Sequence, residues 1–157
     1  MPAYSTPDHE PIWVALLALL RTIPNALFVT TSRQHVQPPA LSAEQQPALF
    51  VIDARETRSQ KSGFPAKTML SGFLVVYFQA PPPLIDDVGA ETVVGGTLLN
   101  ALLLAIDTAM RPDNILTGKL TLGGLVEHCW IEGELDKDTG IYTPQGAALL
   151  PLKILVP

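Results

Sequence analysis

An uninterrupted apolar stretch near the start of the chain predicts the first helix, Pro7–Thr22. Thr6 suits the capping position before it, Pro7 suits the first helical turn, and Pro24 follows as a stop signal. A surface helix normally has one polar face, but the middle of this one is apolar on every side. We therefore expect it to be covered on two sides, by its own sheet and by a second surface; the apolar residues are Ile12, Trp13, Val14, Leu16, Leu17, Leu19 and Leu20.

Strands are predicted where apolar residues alternate or run together between turn signals. The longest has apolar residues on both faces, so we expect it at the centre of a sheet. Pro151 lies inside the last strand and indicates an edge or a bulge, because proline cannot donate to a ladder. The predicted strands are Phe28–Val36, Ala48–Arg55, Lys67–Gln79, Leu125–Glu134 and Ala147–Val156, with a polar loop at Thr57–Ala66 and a turn at Asp136–Gly140.

A second helix is predicted from Thr92, a plausible cap, through Met110. Its polar residues form one narrow stripe, so we expect the rest of its surface to be mostly buried. Gly95-Gly96 lies inside it without the flanking pattern of a phosphate loop, which favours close packing against the sheet. The stripe consists of Thr97, Asn100, Asp107 and Arg111.

These elements follow the order α-β-β-β-α-β-β. The order predicts an α+β fold: a largely antiparallel sheet of about five strands with two main helices packed on it. A length of 157 residues suits a single domain spanning residues 1–157.

The composition is rich in apolar residues and poor in charge. Hydrophobic residues make up 47% of the chain and charged residues 16%, whereas an average soluble domain has about 25% charged residues. The difference indicates a surface partly covered by other subunits, although an ordinary globular composition stays open. A net charge of -5 argues against a duplex DNA reader, which is usually basic, but is compatible with passive passage of DNA.

The apolar run Pro11–Leu20 has ten residues, well short of the roughly 20 that span a bilayer. Asp8 and Glu10 precede it, where a signal peptide would have basic residues. The sequence therefore predicts a soluble, intracellular protein without a membrane partner.

No catalytic, cofactor-binding or metal-binding residue is predicted. His128 and Cys129 are the residue types of a general base and a nucleophile. Neighbours on a strand point to opposite faces, however, so these two side chains cannot reach each other. The single cysteine excludes an internal disulfide, and His9 and His35 lack metal-ligand spacing relative to His128. Asp86-Asp87 is better explained as a solvated loop than as a cation site, and Gly123-Gly124 as a turn or bulge before a strand.

Three stretches carry a resemblance to a known family: Gln46–Val51, Thr121–Glu134 and Leu150–Pro157, supported by Leu74–Tyr77 and Leu98–Asn100. Together they resemble tail terminator, or minor tail, proteins of tailed phages and prophages, over about residues 10–157. The resemblance implies a homo-oligomeric ring, commonly six-fold, that caps the tail tube, stops its polymerisation and offers a surface to the head–tail connector. It also implies that DNA only passes through the hole. The location would be the virion tail, and the host cytoplasm during assembly.

A ring subunit needs two different patches, one donating and one accepting. We expect the basic segment near 57–67 to meet the acidic loop at 82–91 in such a contact; simple solvation of both loops is the alternative. The candidate interface residues are Arg55, Arg58, Lys61, Lys67, Asp86, Asp87 and Glu91.

Two alternatives remain open at this point. A head–tail connector, or neck protein, is also a ring but is positioned on the head side. A small prophage enzyme or regulatory binding domain belongs to a different class. Electron microscopy separates rings from a compact monomer with a deep polar pocket, whereas terminator and connector differ only in their partner.

Overall fold

A computed structural model describes residues 8–60, 62–64, 67–80, 95–140 and 143–157 of the chain. Over these ranges two α-helices accompany a mostly antiparallel six-stranded sheet, the α+β class that the sequence predicts. The elements are α1 (Glu10–Leu20), β1 (Thr30–Ser32), β2 (Ala48–Ser59), β3 (Lys67–Gln79), α2 (Gly95–Ala109), β4 (His128–Ile131), β5 (Asp136–Asp138) and β6 (Gln145–Val156), with 3₁₀ turns at Pro38–Ala40 and Ala43–Gln45.

The strand order is β1-β2-β3-β6-β4, and β5 also pairs with β6. Among the described strands, only the short pairing of β1 with β2 is parallel. The strand β3 has the predicted bounds and the predicted central position, with β2 on one side and β6 on the other. An apolar cluster lies on each face of the sheet there. The side chains of β3 that face the helices are mostly buried, whereas on the opposite face Val75 is buried and Phe73 and Tyr77 are half-buried.

The main core lies between the helices and one face of the sheet. Trp13 of α1 packs over Gly72 of β3, where a Cβ atom would come within 3.2 Å of the Trp13 ring and 2.2 Å of the Ile52 carbonyl oxygen. Glycine at this position lets the helix approach the strand closely. The largest fully buried side chains of this core are Trp13, Phe28, Phe78, Leu16, Leu20, Leu49, Leu74, Leu99, Leu102, Ile106 and Leu150.

A smaller core on the opposite face was not anticipated from the sequence. The segment 33–46 leaves the sheet after β1, and its Leu41 packs with Phe50 and Val75. The buried Gln46 ties this segment to β6, since the Gln46 and Gln145 amides donate to each other at 3.2 and 2.9 Å. The segment Phe28–Val36, predicted as a strand or an extended segment, forms a strand only at Thr30–Ser32, and beyond Ser32 the chain begins to cover the sheet.

The strand β2 extends through Ser59, three residues into the predicted loop Thr57–Ala66. Residues 53–59 are exposed, so hydrophobicity did not indicate a strand there. Their backbone nevertheless pairs with β3, after a register shift between Asp53 and Arg55 that indicates a bulge. Of the remaining loop, residues 61, 65 and 66 lie outside the described part of the chain.

The predicted strand Leu125–Glu134 is shortened to β4, and the predicted turn at Asp136–Gly140 contains the strand β5. Both strands pair with β6, one after the other. Pro151 lies where the partner of β6 changes, and its carbonyl accepts a hydrogen bond from the Glu132 amide at 3.1 Å. Of the two predicted explanations, an edge or a bulge, the edge is wrong, because β6 pairs on both sides; Pro151 lies at the gap between the β4 and β5 ladders, where proline is tolerated.

The helices differ from the prediction mainly at their ends. The helix α1 begins at Glu10, after an N-cap residue, His9, that makes no side-chain capping bond. Asp8 and His9 are not helical, so the predicted start at Pro7 is too early. Thr6, Pro7 and Thr92, the predicted start residues, lie outside the described residues. The helices end at Leu20 and Ala109, within two residues of the predicted ends, a normal uncertainty for fraying termini.

Candidate subunit interface

The predicted basic residues do not form one patch. Arg55 lies opposite Ser71 in the β2–β3 ladder, whereas Arg58 lies opposite Thr68. Because Ser71 and Thr68 are three residues apart on one strand, Arg55 and Arg58 point to opposite faces of the sheet. Lys61 lies outside the described residues.

Two of the predicted cations have acidic partners in their own chain. The Arg58 Nη2 atom lies 3.2 Å from the Glu56 carboxylate, and the Lys67 Nζ atom lies 3.9 Å from Glu127. Glu127 also has Lys119 at 3.7 Å. Exposed pairs of this kind contribute only about 0–1 kcal/mol, but they leave less charge for a neighbouring subunit.

On the face of the sheet opposite the helices, the strand register brings Arg55 close to Lys153, a residue that the sequence analysis did not single out. Ser71 lies between Arg55 of β2 and Lys153 of β6, and the Lys153 amine donates to the Ser71 hydroxyl at 3.2 Å. Lys153 is almost 100 residues from Arg55 along the chain, so only strand pairing could associate them. Neither cation has an acidic partner among the described residues.

The acidic half of the predicted contact consists of Asp86, Asp87 and Glu91, all of which lie outside the described residues. Pairing of this half with the basic segment therefore stays a prediction.

The side chains of His128 and Cys129 diverge across the sheet, as predicted. Cys129 is buried in the main core, and this burial raises the pKa of its thiol to about 12, so the thiol is protonated at neutral pH. The His128 ring instead stacks on Trp130, with centroids 4.7 Å apart, and its Nδ1 accepts a hydrogen bond from the Leu120 amide at 3.1 Å. His128 thus has a structural task, and the neutral thiol is a poor nucleophile.

The described ranges contain no group of three or more histidine, cysteine or acidic residues placed to hold a metal ion. Neither helix in the described part of the chain has the length and hydropathy needed to cross a bilayer.

The most exposed large apolar side chains lie in a loop that hydrophobic patterns did not single out. Ile115 and Leu116, here called the aliphatic tip, are 94% and 98% exposed. Asn114 pairs with Lys119 at the base of the loop, and the Asn114 side chain accepts hydrogen bonds from the Leu116 and Thr117 amides at 3.1 and 3.2 Å. The loop that presents the tip is therefore internally hydrogen-bonded.

A second set of bonds fixes the same loop to the turn before β4. The Asp113 carboxylate accepts hydrogen bonds from the Thr121 amide at 2.7 Å and the Gly123 amide at 3.1 Å. Burial alone would raise the pKa of Asp113, but these bonds and one from the Thr121 hydroxyl lower it below its ordinary value. Leu122, Gly123 and Gly124 all have positive φ, which confirms the predicted turn at the glycine pair.

An apolar groove lies between the end of α1 and the outer side of α2. Its volume is about 600 Å³, and no charged side chain lines it. Leu104, on its wall, is 64% exposed and lies between Asn100 and Asp107 of the polar stripe of α2. Ala101 and Thr108 are exposed as well, so the prediction that α2 is mostly buried outside that stripe is wrong on this side. We call this feature the interhelix groove; its apolar lining includes Ile23, Pro24, Leu27, Leu104, Ala105 and Ala109.

Comparison of the sequence with protein-family models gave no match, and comparison with curated proteins gave none.

Proposed function

We propose that this protein is a ring-forming subunit of a phage tail that acts as the tail terminator. The observation that carries the proposal is the exposure of large apolar side chains on ordered elements, above all the aliphatic tip and Leu104. Exposed apolar residues that cluster on well-ordered elements are typical of protein–protein contact surfaces. The low charged fraction of 16% supports the same conclusion.

In this role the subunit works through interfaces and not through a reactive pocket. Each copy contacts the next through two different surfaces, and the rotation between copies closes a ring. One side of the ring covers the last layer of the tail tube and prevents further addition of tube subunits. The other side offers the surface to which the head–tail connector binds, and DNA passes through the hole.

Electron microscopy of the full-length protein tests the proposal. We expect closed rings, either in concentrated solution or at one end of purified tail tubes. Both conditions are needed, since some rings of this kind close only when bound to the tube. Tubes assembled with the protein should have a defined length, whereas tubes assembled without it should keep growing. Absence of rings under both conditions would overturn the proposal.

A matched experiment separates the terminator from a neck connector. Purified heads that carry the portal are mixed with the protein in parallel with the tail tubes. Binding to tube ends supports the terminator, whereas binding to heads in the absence of tubes would replace it with the connector. A compact monomer that binds neither particle would favour the third class, a small enzyme or regulatory domain.

A further inference from the structure

We propose that neighbouring copies interlock by inserting the aliphatic tip of one copy into the interhelix groove of the next. The inference deepens the proposed ring function and rests on it. It assigns the principal contact to apolar surfaces that the charge pattern did not indicate.

The aliphatic tip has the properties of a preformed donating surface. Ile115 and Leu116 are 94% and 98% exposed, so their own chain does not cover them. The Asn114 side chain accepts a hydrogen bond from within the loop, and the Asp113 carboxylate joins the start of the 113–124 segment to Thr121 and Gly123 near its end. Because the loop is already ordered, little conformational entropy is lost when a partner covers the tip.

The interhelix groove has the properties of an accepting surface. Its volume of about 600 Å³ falls within the range of roughly 300–1,000 Å³ that is typical of binding pockets. Ile23 and Leu27 from the α1 end and Leu104 from α2 supply apolar walls, and the lining includes no charged residue. A charged occupant would lose part of its hydration there without gaining a partner of opposite charge.

A second copy of the chain is the occupant that these observations favour. The tip and the groove are both apolar and both uncharged, so they match in chemistry. They are two different surfaces of one chain, and the near-complete exposure of the tip means that it does not fill the groove of its own chain. Two different complementary surfaces on identical subunits produce head-to-tail contacts, which generate rings when the rotation closes.

The first test removes the apolar character of each surface separately. Ile115→Asp combined with Leu116→Asp changes the tip, and Leu104→Asp changes the groove. We expect each variant to raise the dissociation constant for self-association at least about tenfold, equivalent to about 1.4 kcal/mol, measured by sedimentation of the full chain. Val29→Asp is the matched control, because Val29 is an apolar residue that is 51% exposed outside the groove.

We expect the control to associate like the wild type, and thermal unfolding should show that all the variants remain folded. Equal weakening by Val29→Asp would overturn the specific contact. So would tip variants that form normal rings but fail to bind tail tubes, because the occupant of the contact would then be the tube protein.

The second test is a disulfide cross-link between copies. Leu116→Cys protein is mixed with Leu104→Cys protein and oxidised; Cys129 is buried and does not compete. We expect a linked pair that needs both variants, and a ladder of oligomers when one chain carries both changes. Rings that form without this cross-link would overturn the inference but leave the proposed function standing, whereas absence of wild-type rings, alone and on tubes, would remove the proposed function.

Discussion

Gly95 and Gly96 are adjacent at the described start of α2, yet only one of them is sterically required. A Cβ at Gly95 would lie 1.9 Å from the Thr139 carbonyl oxygen, a backbone atom that cannot move aside easily. A Cβ at Gly96 would lie 3.8 Å from the Thr139 methyl group, an ordinary contact. The predicted close approach therefore applies to Gly95, although its partner is the segment after β5.

We expect Gly95→Ala to lower the free energy of unfolding by about 1–3 kcal/mol, the usual cost of overpacking. Gly96→Ala is the matched control and should leave stability unchanged or raise it by up to about 1 kcal/mol, since alanine favours helix. Urea denaturation of both variants measures the difference. Equal effects would show that Thr139 does not lie against Gly95.

His128 is expected to matter through its hydrogen bond and not through chemistry. His128→Asn keeps an acceptor near the position of Nδ1, whereas His128→Leu leaves the buried Leu120 amide without its partner. We expect the leucine variant to lose about 1–3 kcal/mol of stability and the asparagine variant to lose less, as measured by thermal unfolding. The opposite order, or loss of a measurable catalytic rate in either variant, would contradict this assignment.

At the scale of elements, the segment 113–124 is organised around one carboxylate. Positive φ at Leu122 and Gly123 turns the backbone so that the Gly123 amide reaches Asp113. The pKa of Asp113 is lower in the folded protein than its ordinary value of 3.8, so the ionised carboxylate stabilises the fold. That contribution is complete above pH 3.8 and is lost as the pH falls through the lowered pKa.

Asp113→Asn places an NH₂ group against an amide that needs an acceptor. We expect amide hydrogen exchange at Thr121 and Gly123 to become faster in this variant at neutral pH, and protection of the wild-type amides to fall only below about pH 3.8. Self-association should also weaken, because the aliphatic tip loses its support. Unchanged protection of Thr121 and Gly123 in the variant would show that Asp113 does not hold the loop.

At the scale of the whole molecule, two kinds of subunit contact make opposite predictions about salt. A contact between charged loops weakens as salt screens it, whereas a contact through the aliphatic tip does not. Arg58 is already paired with Glu56 in its own chain, so its contribution to a neighbouring subunit is expected to be small. We therefore expect charge to influence register and rate of assembly more than its strength.

Charge reversal tests the electrostatic contact directly. Arg58→Glu with Lys61→Glu should weaken rings at low salt, and adding Asp86→Lys with Asp87→Lys in the same chain should restore them. Glu56→Gln is the control, because it removes the in-chain partner of Arg58 without changing either predicted surface cation. Rings that are indifferent to the first reversal at low salt would leave the apolar surfaces as the only interface.

The sequence by itself determined the α+β class, the bounds and central position of β3, and the exposed polar stripe on α2. These features follow from local periodicity, because the alternation of apolar residues records which side of an element is covered. It also predicted a further cover on one side of α1; Val14 is 53% exposed in the single chain, and its cover there stays a prediction. The charged interface was predicted only as a list of residues near one another in sequence.

Tertiary structure alone decided where distant residues meet. The polar residues 53–59 form a strand because they pair with β3, and this pairing places Arg55 and Arg58 on opposite faces of the sheet. Packing leaves Ile115, Leu116 and Leu104 in solvent, although their apolar character alone would place them inside. The physical reason is that local pattern records what a side chain prefers, whereas burial depends on which other segments reach it, and that is settled only when the whole chain folds.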